Sequence, residues 1–322
     1  MPETAENLRA RLDGGLVPAV PVTLDGGGRL HAAAHDSYLR HMTGQPVAGV
    51  AVWAHTGRGL MLGRGTAGTV LRDWRAALPG KVLVAGAGAP PGMSASEATR
   101  HSVEMAERAA QLGADAVLAY APAWLRGRDA AGRLIVEHHR RLAATGLPLV
   151  LFYLYEEAGG ITYPPEVLDE LLSMPEVIGI KMATLDSVMT YQDVSRALSA
   201  RHPGKLLITG EDRFLGYSLM RGARAALVGM GAACSRLQAE LVGAHVRGEA
   251  SRFLELSRLA DMLAEVTFVR PLEGYIRRML WVLAHQGVIP LEAANDPWGP
   301  ELSREEYAEV GRVLNELGEW GR

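Results

Sequence analysis

Residues 149–181 read LVLFYLYEEAGGITYPPEVLDELLSMPEVIGIK and contain one complete strand–helix–strand unit. The apolar runs Leu149–Tyr153 and Val177–Lys181, short and rich in β-branched or aromatic residues, predict two buried strands. Between them, Pro164-Pro165 predicts the start of a helix and Pro175 its end. Apolar residues recur within this helix at the spacing of one buried face: Val167, Leu168, Leu171 and Leu172.

Similar units recur along the chain at a spacing of roughly 30 residues or a little less. Their apolar runs are continuous rather than alternating, as expected for parallel strands whose outer face is covered by helices. Eight such runs predict an α/β fold, a (β/α)8 TIM barrel over residues 1–235. A doubly wound sheet is the main alternative, because periodicity does not show whether a sheet closes. The predicted strands are Val17–Val22, Gly49–Trp53, Val82–Ala85, Ala116–Ala119, Leu149–Tyr153, Val177–Lys181, Leu206–Thr209 and Ala225–Gly229.

Residues 236–322 are predicted to form a C-terminal helical domain. Its last helix begins with the capping box Ser303-Arg-Glu-Glu306, and an earlier capping box, Ser94-Ala-Ser-Glu97, begins a helix of the barrel. We expect the C-terminal helices either to pack on the barrel or to form a contact between copies of the chain.

The composition excludes several classes of protein. The chain has 322 residues, of which 48% are hydrophobic and 21% charged, as in ordinary globular proteins. Its net charge of −3 gives no field that attracts nucleic acid or anionic lipid. It has no apolar run of the ~18–20 residues that span a membrane, and no signal peptide. The single cysteine, Cys234, and scattered histidines argue against a zinc site, so a cytoplasmic protein without metal is predicted.

Lysine is rare in this chain, which makes each lysine informative. Thirty of the 33 basic residues are arginine, and the three lysines are Lys81, Lys181 and Lys205. Arginine supplies positive charge but is not deprotonated in proteins, whereas lysine can become a neutral nucleophile. Lys81 and Lys205 follow Pro-Gly and open strands, but Lys181 ends a buried one.

A lysine at the end of a barrel strand, with a tyrosine at the end of the preceding strand, suggests Schiff-base chemistry. Burial would keep the Lys181 amine neutral, its imine would accept electrons from the substrate, and the Tyr153 hydroxyl would move protons. The alternative for Lys181 is an ion pair with Glu211 or Asp212 across the barrel mouth.

The chain resembles the dihydrodipicolinate synthase / N-acetylneuraminate lyase family over nearly its whole length. The resemblance rests on the spacing from Tyr153 to Lys181, on Val177-Ile-Gly-Ile-Lys-Met-Ala-Thr184, on Ala85-Gly-Ala-Gly88 and on Pro18-Ala-Val20. It implies a barrel with a C-terminal helical domain, usually in a homotetramer. It also implies class I aldolase chemistry on a 2-oxo acid, typically pyruvate, without a cofactor.

The resemblance assigns roles to individual residues. Lys181 matches the Schiff-base lysine and Tyr153 the catalytic tyrosine. Thr56 and Gly57 match a loop that holds the oxo-acid carboxylate, with Thr56 counted among the catalytic residues. The predicted substrate-binding residues are Gly57, Arg58, Trp124, Thr184, Glu211 and Gly229.

Three positions depart from the family pattern. His55 replaces the first hydroxyl of the loop; it either rebuilds a proton relay or bonds only to backbone. Arg58 replaces a glutamate and either binds a carboxylate or pairs with Glu211 or Glu156. Trp124 stands near the place of a relay tyrosine and cannot relay a proton, since its indole is a donor only.

These residues predict a class I aldolase or lyase that joins a 2-oxo acid through an imine on Lys181. No arginine follows the catalytic tyrosine in Glu156–Gly160, so an authentic dihydrodipicolinate synthase is not expected. The expected partners are small-molecule 2-oxo acids and aldehydes, and further copies of the chain in a dimer or tetramer. The alternative is a retired or regulatory barrel that binds a small carboxylate without turnover.

Overall fold

The computed structural model describes residues 4–128 and 130–321. Within these ranges the chain forms an α/β fold around one strongly curled sheet of seven parallel strands, which follow one another in chain order. The strands are β1 Gly49–Val52, β2 Val82–Ala87, β3 Ala116–Ala119, β4 Leu149–Leu154, β5 Val177–Ala183, β6 Leu206–Thr209 and β7 Ala225–Ala226. Seven of the eight predicted strands are therefore confirmed, within a few residues at their ends.

Helices alternate with these strands and continue after the last one. The helices are α1 Ala5–Leu12, α2 Ala32–Thr43, α3 Arg64–Ala77, α4 Ala95–Gln111, α5 Ala131–Ala143, α6 Pro165–Ser173, α7 Val188–Arg201, α8 Leu215–Met220, α9 Ser235–Val246, α10 Ala250–Thr267, α11 Tyr275–His285 and α12 Arg304–Glu316. Both predicted capping boxes are confirmed, at Ser94 before α4 and at Ser303 before α12. Over the described residues, every helix is too short or too polar to cross a membrane.

The first predicted strand, Val17–Val22, is the exception. This segment makes isolated parallel bridges, from Leu16 to β7 and from Ala19 to β1, instead of a regular strand. Pro18 and Pro21 explain the difference, because proline has no N–H to donate to a ladder. The segment nevertheless accepts and donates backbone hydrogen bonds on both sides, so it joins the two edges of the sheet.

Two hydrophobic clusters occupy the two faces of the curled sheet. The inner cluster fills the inside of the sheet with side chains such as Val84, Leu118, Phe152 and Ile208. The outer cluster lies between the sheet and the helices, and it continues without a break into the buried faces of α9–α12. The helices that follow residue 235 thus share one core with those around the sheet.

One bulge in the sheet decides which side chains of β5 point inward. Leu149 of β4 pairs with Val177, whereas Val150 pairs with Gly179, so Ile178 is an extra residue on β5. An extra residue reverses the alternation of side chains between the two faces of the sheet beyond that point.

Candidate active site

Lys181 lies near the carboxyl end of β5 and points into the sheet's interior, where it is 5% exposed. Its Nζ atom lies 4.2 Å from the centre of the Phe152 ring on β4. Gly210, at the end of β6, leaves room for the lysine stem, since a Cβ there would lie 2.5 Å from Lys181 Cε. Burial lowers the pKa of Lys181 to about 8, although the charges of Asp212 and Glu211 oppose this shift.

The two acidic residues after β6 are buried and hold turns of the neighbouring strands. Glu211 accepts hydrogen bonds from the Thr184 N–H (2.7 Å), the Thr184 hydroxyl (2.9 Å) and the Leu185 N–H (2.8 Å). Asp212 accepts one from the Met230 N–H (2.7 Å) after β7. Burial raises the pKa of Glu211 and of Asp212 to about 7.

The contacts of this pair bear on two predictions. Thr184 and Glu211, both predicted to bind substrate, bind each other and fix the turn after β5, and their contact with substrate stays a prediction. Among the described residues, no carboxylate oxygen lies within 4.0 Å of Lys181 Nζ, so the predicted ion pair with Glu211 or Asp212 is absent.

Tyr153 lies on the opposite face of the sheet from Lys181. Phe152 is the residue of β4 that pairs with Lys181, and the two side chains therefore share the inner face. Tyr153 belongs to the outer cluster, and its ring centre is 5.5 Å from that of Tyr163. Burial raises the pKa of Tyr153, while hydrogen bonding to Thr162 and the Tyr163 backbone opposes the shift. The structure thus does not bring Tyr153 to Lys181.

The loop after β1 contributes two backbone N–H groups. Gly57 N–H donates to Ala54 and Arg58 N–H to His55, which folds the loop into a tight turn. Across the described residues, the N–H groups of His55 and Thr56 find no acceptor. Glycine is needed at position 57, because a Cβ there would lie 2.8 Å from the Val20 carbonyl oxygen. The turn therefore presents two adjacent donors at the end of the strand.

Tyr275, the first residue of α11, reaches this loop. Its hydroxyl lies 3.1 Å from His55 Nδ1 and 3.0 Å from Thr56 Oγ1. Gly229, at the end of the last predicted strand, allows the approach, because a Cβ there would lie 3.0 Å from the Tyr275 ring. His55 Nε2 in turn lies 3.4 Å from Glu273 Oε1. Burial lowers the pKa of His55 to about 4; Glu273 opposes this, and positive charges nearby add to it.

Arg58 is fully engaged by two carboxylates that follow α10 in the chain. Its guanidinium donates to both oxygens of Asp296 (3.1 and 2.7 Å) and to Glu273 Oε2 (2.7 Å). Arg58 therefore forms ion pairs, as one of the two predictions had it, but with Glu273 and Asp296 and not with Glu211 or Glu156. These bonds hold the pKa of Arg58 above its usual value despite burial, and they leave the guanidinium committed within the protein.

A cavity of about 600 Å³ opens beside His55 and Arg58. Trp124 forms part of its wall, and its indole packs edge-on against His138 at 5.2 Å. Most of the remaining wall is apolar: Leu60, Met61, Pro90, Pro91, Met93 and Ala121. The cavity thus places an apolar chamber beside His55 and beside the loop with the two backbone donors, as expected of a site for a small carboxylate with an apolar extension.

A family model described as the dihydrodipicolinate synthetase family matches residues 13–317 of the chain. The chain belongs to this family. One relative, the 4-hydroxy-tetrahydrodipicolinate synthase of Stenotrophomonas maltophilia (strain K279a), is 32% identical over 125 residues, which cover 38% of this chain and 39% of that synthase. The alignment thus spans less than half of that relative's length. The predicted resemblance to the dihydrodipicolinate synthetase family is confirmed.

Two solved structures show the same fold. YagE from E. coli K12, solved in complex with pyruvate, has a TM-score of 0.80 at 19% identity, and the match covers 94% of this chain and 98% of YagE. The sialic acid aldolase of Ruminococcus gnavus has a TM-score of 0.81 at 18% identity, with 96% and 98% covered. At such identities the likeness shows the fold alone.

In this member of the dihydrodipicolinate synthetase family, four residues of the site were missed from the sequence. Phe152 is the neighbour of Tyr153, the residue that the sequence predicts beside Lys181. Only the bulge in β5 decides which of the two faces the lysine. Glu273, Tyr275 and Asp296 lie more than 200 residues beyond the loop that they contact. The sequence contains one signal for the two carboxylates. Arg58 lies in an apolar stretch, and a buried arginine requires acidic partners, but nothing in the sequence shows which acidic residues these are.

Proposed function

We propose that the chain is a lyase, a class I aldolase or dehydratase in which Lys181 forms a Schiff base with a 2-oxo acid such as pyruvate. The observation that carries the proposal is the buried Lys181 amine, with a pKa lowered to about 8, facing the inside of the sheet. A neutral amine attacks the ketone carbon, the ketone oxygen leaves as water, and the resulting iminium accepts electrons from an adjacent bond.

The loop after β1 is proposed to hold the carboxylate of the oxo acid. The adjacent N–H groups of His55 and Thr56 lack acceptors within the described chain, and a carboxylate accepts from two such donors. Gly57 keeps the loop compact enough to present them. Arg58 is not part of this binding, because Asp296 and Glu273 occupy its guanidinium.

The apolar cavity is proposed to hold the second part of the substrate. Trp124 and the apolar part of the cavity wall, which includes Leu60 and Met93, suit an aldehyde with an apolar or aromatic portion. The cavity lacks a free cation for the amino-acid-like partner of the synthase reaction, since its arginine, Arg58, is paired. The protein is therefore proposed not to be an authentic dihydrodipicolinate synthase.

The finer architecture predicted from the sequence is part of the same proposal. Residues 1–235 are proposed to form the (β/α)8 barrel, with the hydrogen-bonded segment around Pro18 in the place of the eighth strand. Residues 236–322 are proposed as its C-terminal helical domain, and the enzyme as a cytoplasmic dimer or tetramer, which sedimentation velocity would measure.

One observation favours the alternative of a barrel that binds without turnover. Phe152, the side chain that faces Lys181 from β4, has no hydroxyl to move protons. The aldolase and the barrel without turnover differ in the first step after imine formation. A barrel without turnover would hold the imine without converting it.

Borohydride reduction in the presence of pyruvate tests the Schiff base. We expect one pyruvate-derived mass on the intact protein, located on the peptide that contains Lys181. Lys181→Arg should keep the fold, because charge and most of the stem remain, yet lose the adduct. Lys205→Arg is the matched control and should keep it. An adduct on Lys81 or Lys205, or none with any 2-oxo acid, would contradict the proposal.

A further inference from the structure

Four polar side chains form an unbroken chain of contacts at the mouth of the sheet. Glu273 Oε1 lies 3.4 Å from His55 Nε2, His55 Nδ1 lies 3.1 Å from the Tyr275 hydroxyl, and that hydroxyl lies 3.0 Å from Thr56 Oγ1. A carboxylate, an imidazole and a hydroxyl in this order form the arrangement in which a histidine takes a proton from the hydroxyl.

The order of the contacts fixes the direction of the hydrogen bonds. Burial keeps the pKa of His55 low, so its ring is neutral and carries one proton. The Glu273 carboxylate, whose pKa is lowered by His55 and Arg58 in spite of burial, has its Oε1 atom 3.4 Å from Nε2 and so favours the tautomer that carries the proton on Nε2. His55 Nδ1 is then an acceptor, the Tyr275 hydroxyl donates to it, and Thr56 donates to the Tyr275 oxygen.

The packing holds the Tyr275 ring rigidly at this place. The ring is 5% exposed and stacks on Phe268 with centres 4.5 Å apart. A Cβ at Gly229 would lie 3.0 Å from the ring, so glycine at this position gives the ring room. Lys181 lies close enough for its charge to lower the pKa of His55, after the larger effects of burial, Glu273 and Arg58.

The other tyrosines around the site have different partners. Tyr120 donates to the Trp53 carbonyl at 3.2 Å, and Tyr155 donates to Glu273 Oε1 at 2.9 Å. Tyr153 lies on the outer face of the sheet, beside Tyr163. Among the described tyrosines, Tyr275 is thus the one whose hydroxyl contacts both a histidine and a threonine of the carboxylate loop.

We infer that Tyr275 is the catalytic hydroxyl that moves protons at the substrate on Lys181, with His55 and Glu273 as its positioning residues. The inference rests on the Schiff base of the proposed function. In cleavage, the substrate hydroxyl gives its proton to the Tyr275 oxygen while the Tyr275 proton passes to His55 Nδ1, beside the Glu273 carboxylate.

The carbon–carbon bond then breaks, its electron pair neutralises the iminium, and an enamine and an aldehyde form. The proton on His55 returns through Tyr275 to the enamine carbon, and water releases the 2-oxo acid from Lys181. The proton lost by the substrate hydroxyl is therefore the one gained at carbon, and the reaction needs no other co-reactant than water.

Deuterium exchange of pyruvate tests this step without knowledge of the natural aldehyde. An imine on Lys181 allows Tyr275 to remove a proton from the pyruvate methyl group, and D₂O replaces it, which proton NMR follows directly. For Tyr275→Phe we expect the exchange rate to fall by about 10²–10⁴-fold, the usual range for a general acid or base. The extent of the borohydride adduct on Lys181 at long reaction times should stay unchanged.

Two further tyrosine-to-phenylalanine variants show whether a loss of exchange is specific to Tyr275. Tyr38→Phe also removes a buried hydroxyl, one that donates to the Ala232 carbonyl at 2.7 Å from a ring packed against Trp74 in the outer cluster, and should exchange at the wild-type rate. Tyr153→Phe tests the residue that the sequence favoured. If Tyr153→Phe loses exchange and Tyr275→Phe retains it, the inference is overturned in favour of Tyr153.

The positioning role of His55 has its own test. His55→Ala should lose most of the exchange, and imidazole added to the solution should restore part of it, because His55 lines the 600 Å³ cavity. A purely structural histidine would not be replaced in this way. Absence of any adduct in the wild-type protein would refute the Schiff base itself, whereas an adduct without exchange, or exchange unchanged in Tyr275→Phe, would refute the relay alone.

Discussion

The Lys181 amine is governed by two opposed effects. Burial favours the neutral amine, whereas Asp212 and Glu211 favour the ammonium, and burial is the larger effect. The Phe152 ring supplies a weak cation–π contact that also favours the ammonium, worth about 0.5–2 kcal/mol in general. The result is a buried amine that is more easily deprotonated near neutral pH than an ordinary lysine.

The rate of imine formation should follow this pKa. Below about pH 8 the neutral fraction of Lys181 rises tenfold for each pH unit, and above it the fraction is nearly constant. We therefore expect the initial rate of pyruvate adduct formation to rise from pH 6 and to level off near pH 8. An ordinary lysine, with a pKa of about 10.4, would give a rate that keeps rising past pH 10. Such a continued rise would show that Lys181 is not the desolvated amine described here.

The lowered pKa of Lys181 also makes the stability of the fold depend on pH. Because the folded pKa of Lys181 lies below 10.5, the unfolded chain binds more protons between about pH 8 and pH 10.5. In that window the contribution of this residue to the free energy of unfolding rises with pH.

At the level of single residues, the sequence predicts a pair of Lys181 and Tyr153, of which the structure places only Lys181 on the inner face of the sheet. Lys181 stood out because arginine replaces lysine almost everywhere else in the chain. The spacing of 28 residues to Lys181 predicts Tyr153 as its partner rather than Phe152, and this holds only for a strand pair in regular register. The extra residue Ile178 breaks that register, and nothing about an isoleucine side chain predicts a bulge at this position.

The turn between β5 and α7 depends on one buried carboxylate. Glu211 accepts three hydrogen bonds, two from the N–H groups of Thr184 and Leu185 and one from the Thr184 hydroxyl. Leu185 has a φ of 56°, a strained value for a branched residue, so the turn needs this support.

Removal of this carboxylate should destabilise the fold. In Glu211→Ala two buried N–H groups lose their acceptor, and each such loss costs about 1–3 kcal/mol. We expect a free energy of unfolding lower by about 2–5 kcal/mol, measured by urea denaturation. Thr184→Val removes only the contacts of the hydroxyl, with Glu211 and with the Ser187 carbonyl, and should cost clearly less. Equal losses in the two variants would mean that the backbone hydrogen bonds contribute nothing.

The order of elements was more predictable than their regularity. Seven strands and their helices follow from apolar runs, capping boxes and the prolines before α6, all of which act locally. The segment around Pro18 and Pro21 reads as a strand by its apolar residues, but its prolines reduce it to isolated bridges. Its position between β1 and β7 is a property of the curled sheet as a whole and is not visible in the segment itself.

At the scale of the whole molecule, Arg58 connects distant parts of the chain. It lies in the loop after β1 and binds Glu273 and Asp296, which lie on either side of α11. The Asp296 side chain is 1% exposed, so this ion pair is shielded from salt and solvent. The same carboxylates that satisfy Arg58 bring Tyr275 to His55, which explains why the site could not be predicted from local sequence.

Condensation of pyruvate with aspartate semialdehyde should be negligible. The substrate would bring a carboxylate and an ammonium into a cavity with an apolar wall, and Arg58 is already paired. A missing charged partner for a buried carboxylate costs about 2–5 kcal/mol, or roughly 30- to several-thousand-fold in affinity. We expect measurable cleavage of aldols made from pyruvate and less polar aldehydes in the same assay. Synthase turnover at ordinary rates, lost in Arg58→Ala, would show that Arg58 leaves its partners to bind substrate.

The connection through Arg58 has a consequence for biosynthesis. The ribosome delivers Lys181 and the β1 loop long before it delivers residues 273–296, because the chain is made from its amino end. A nascent or prematurely terminated chain therefore carries the amine without Tyr275, and an arginine without its carboxylates. On the inferred relay, such a chain would lack the Tyr275 hydroxyl that returns a proton to a captured oxo acid. Turnover would then begin only after translation has passed Asp296, so that activity reports a chain that contains both partners of Arg58.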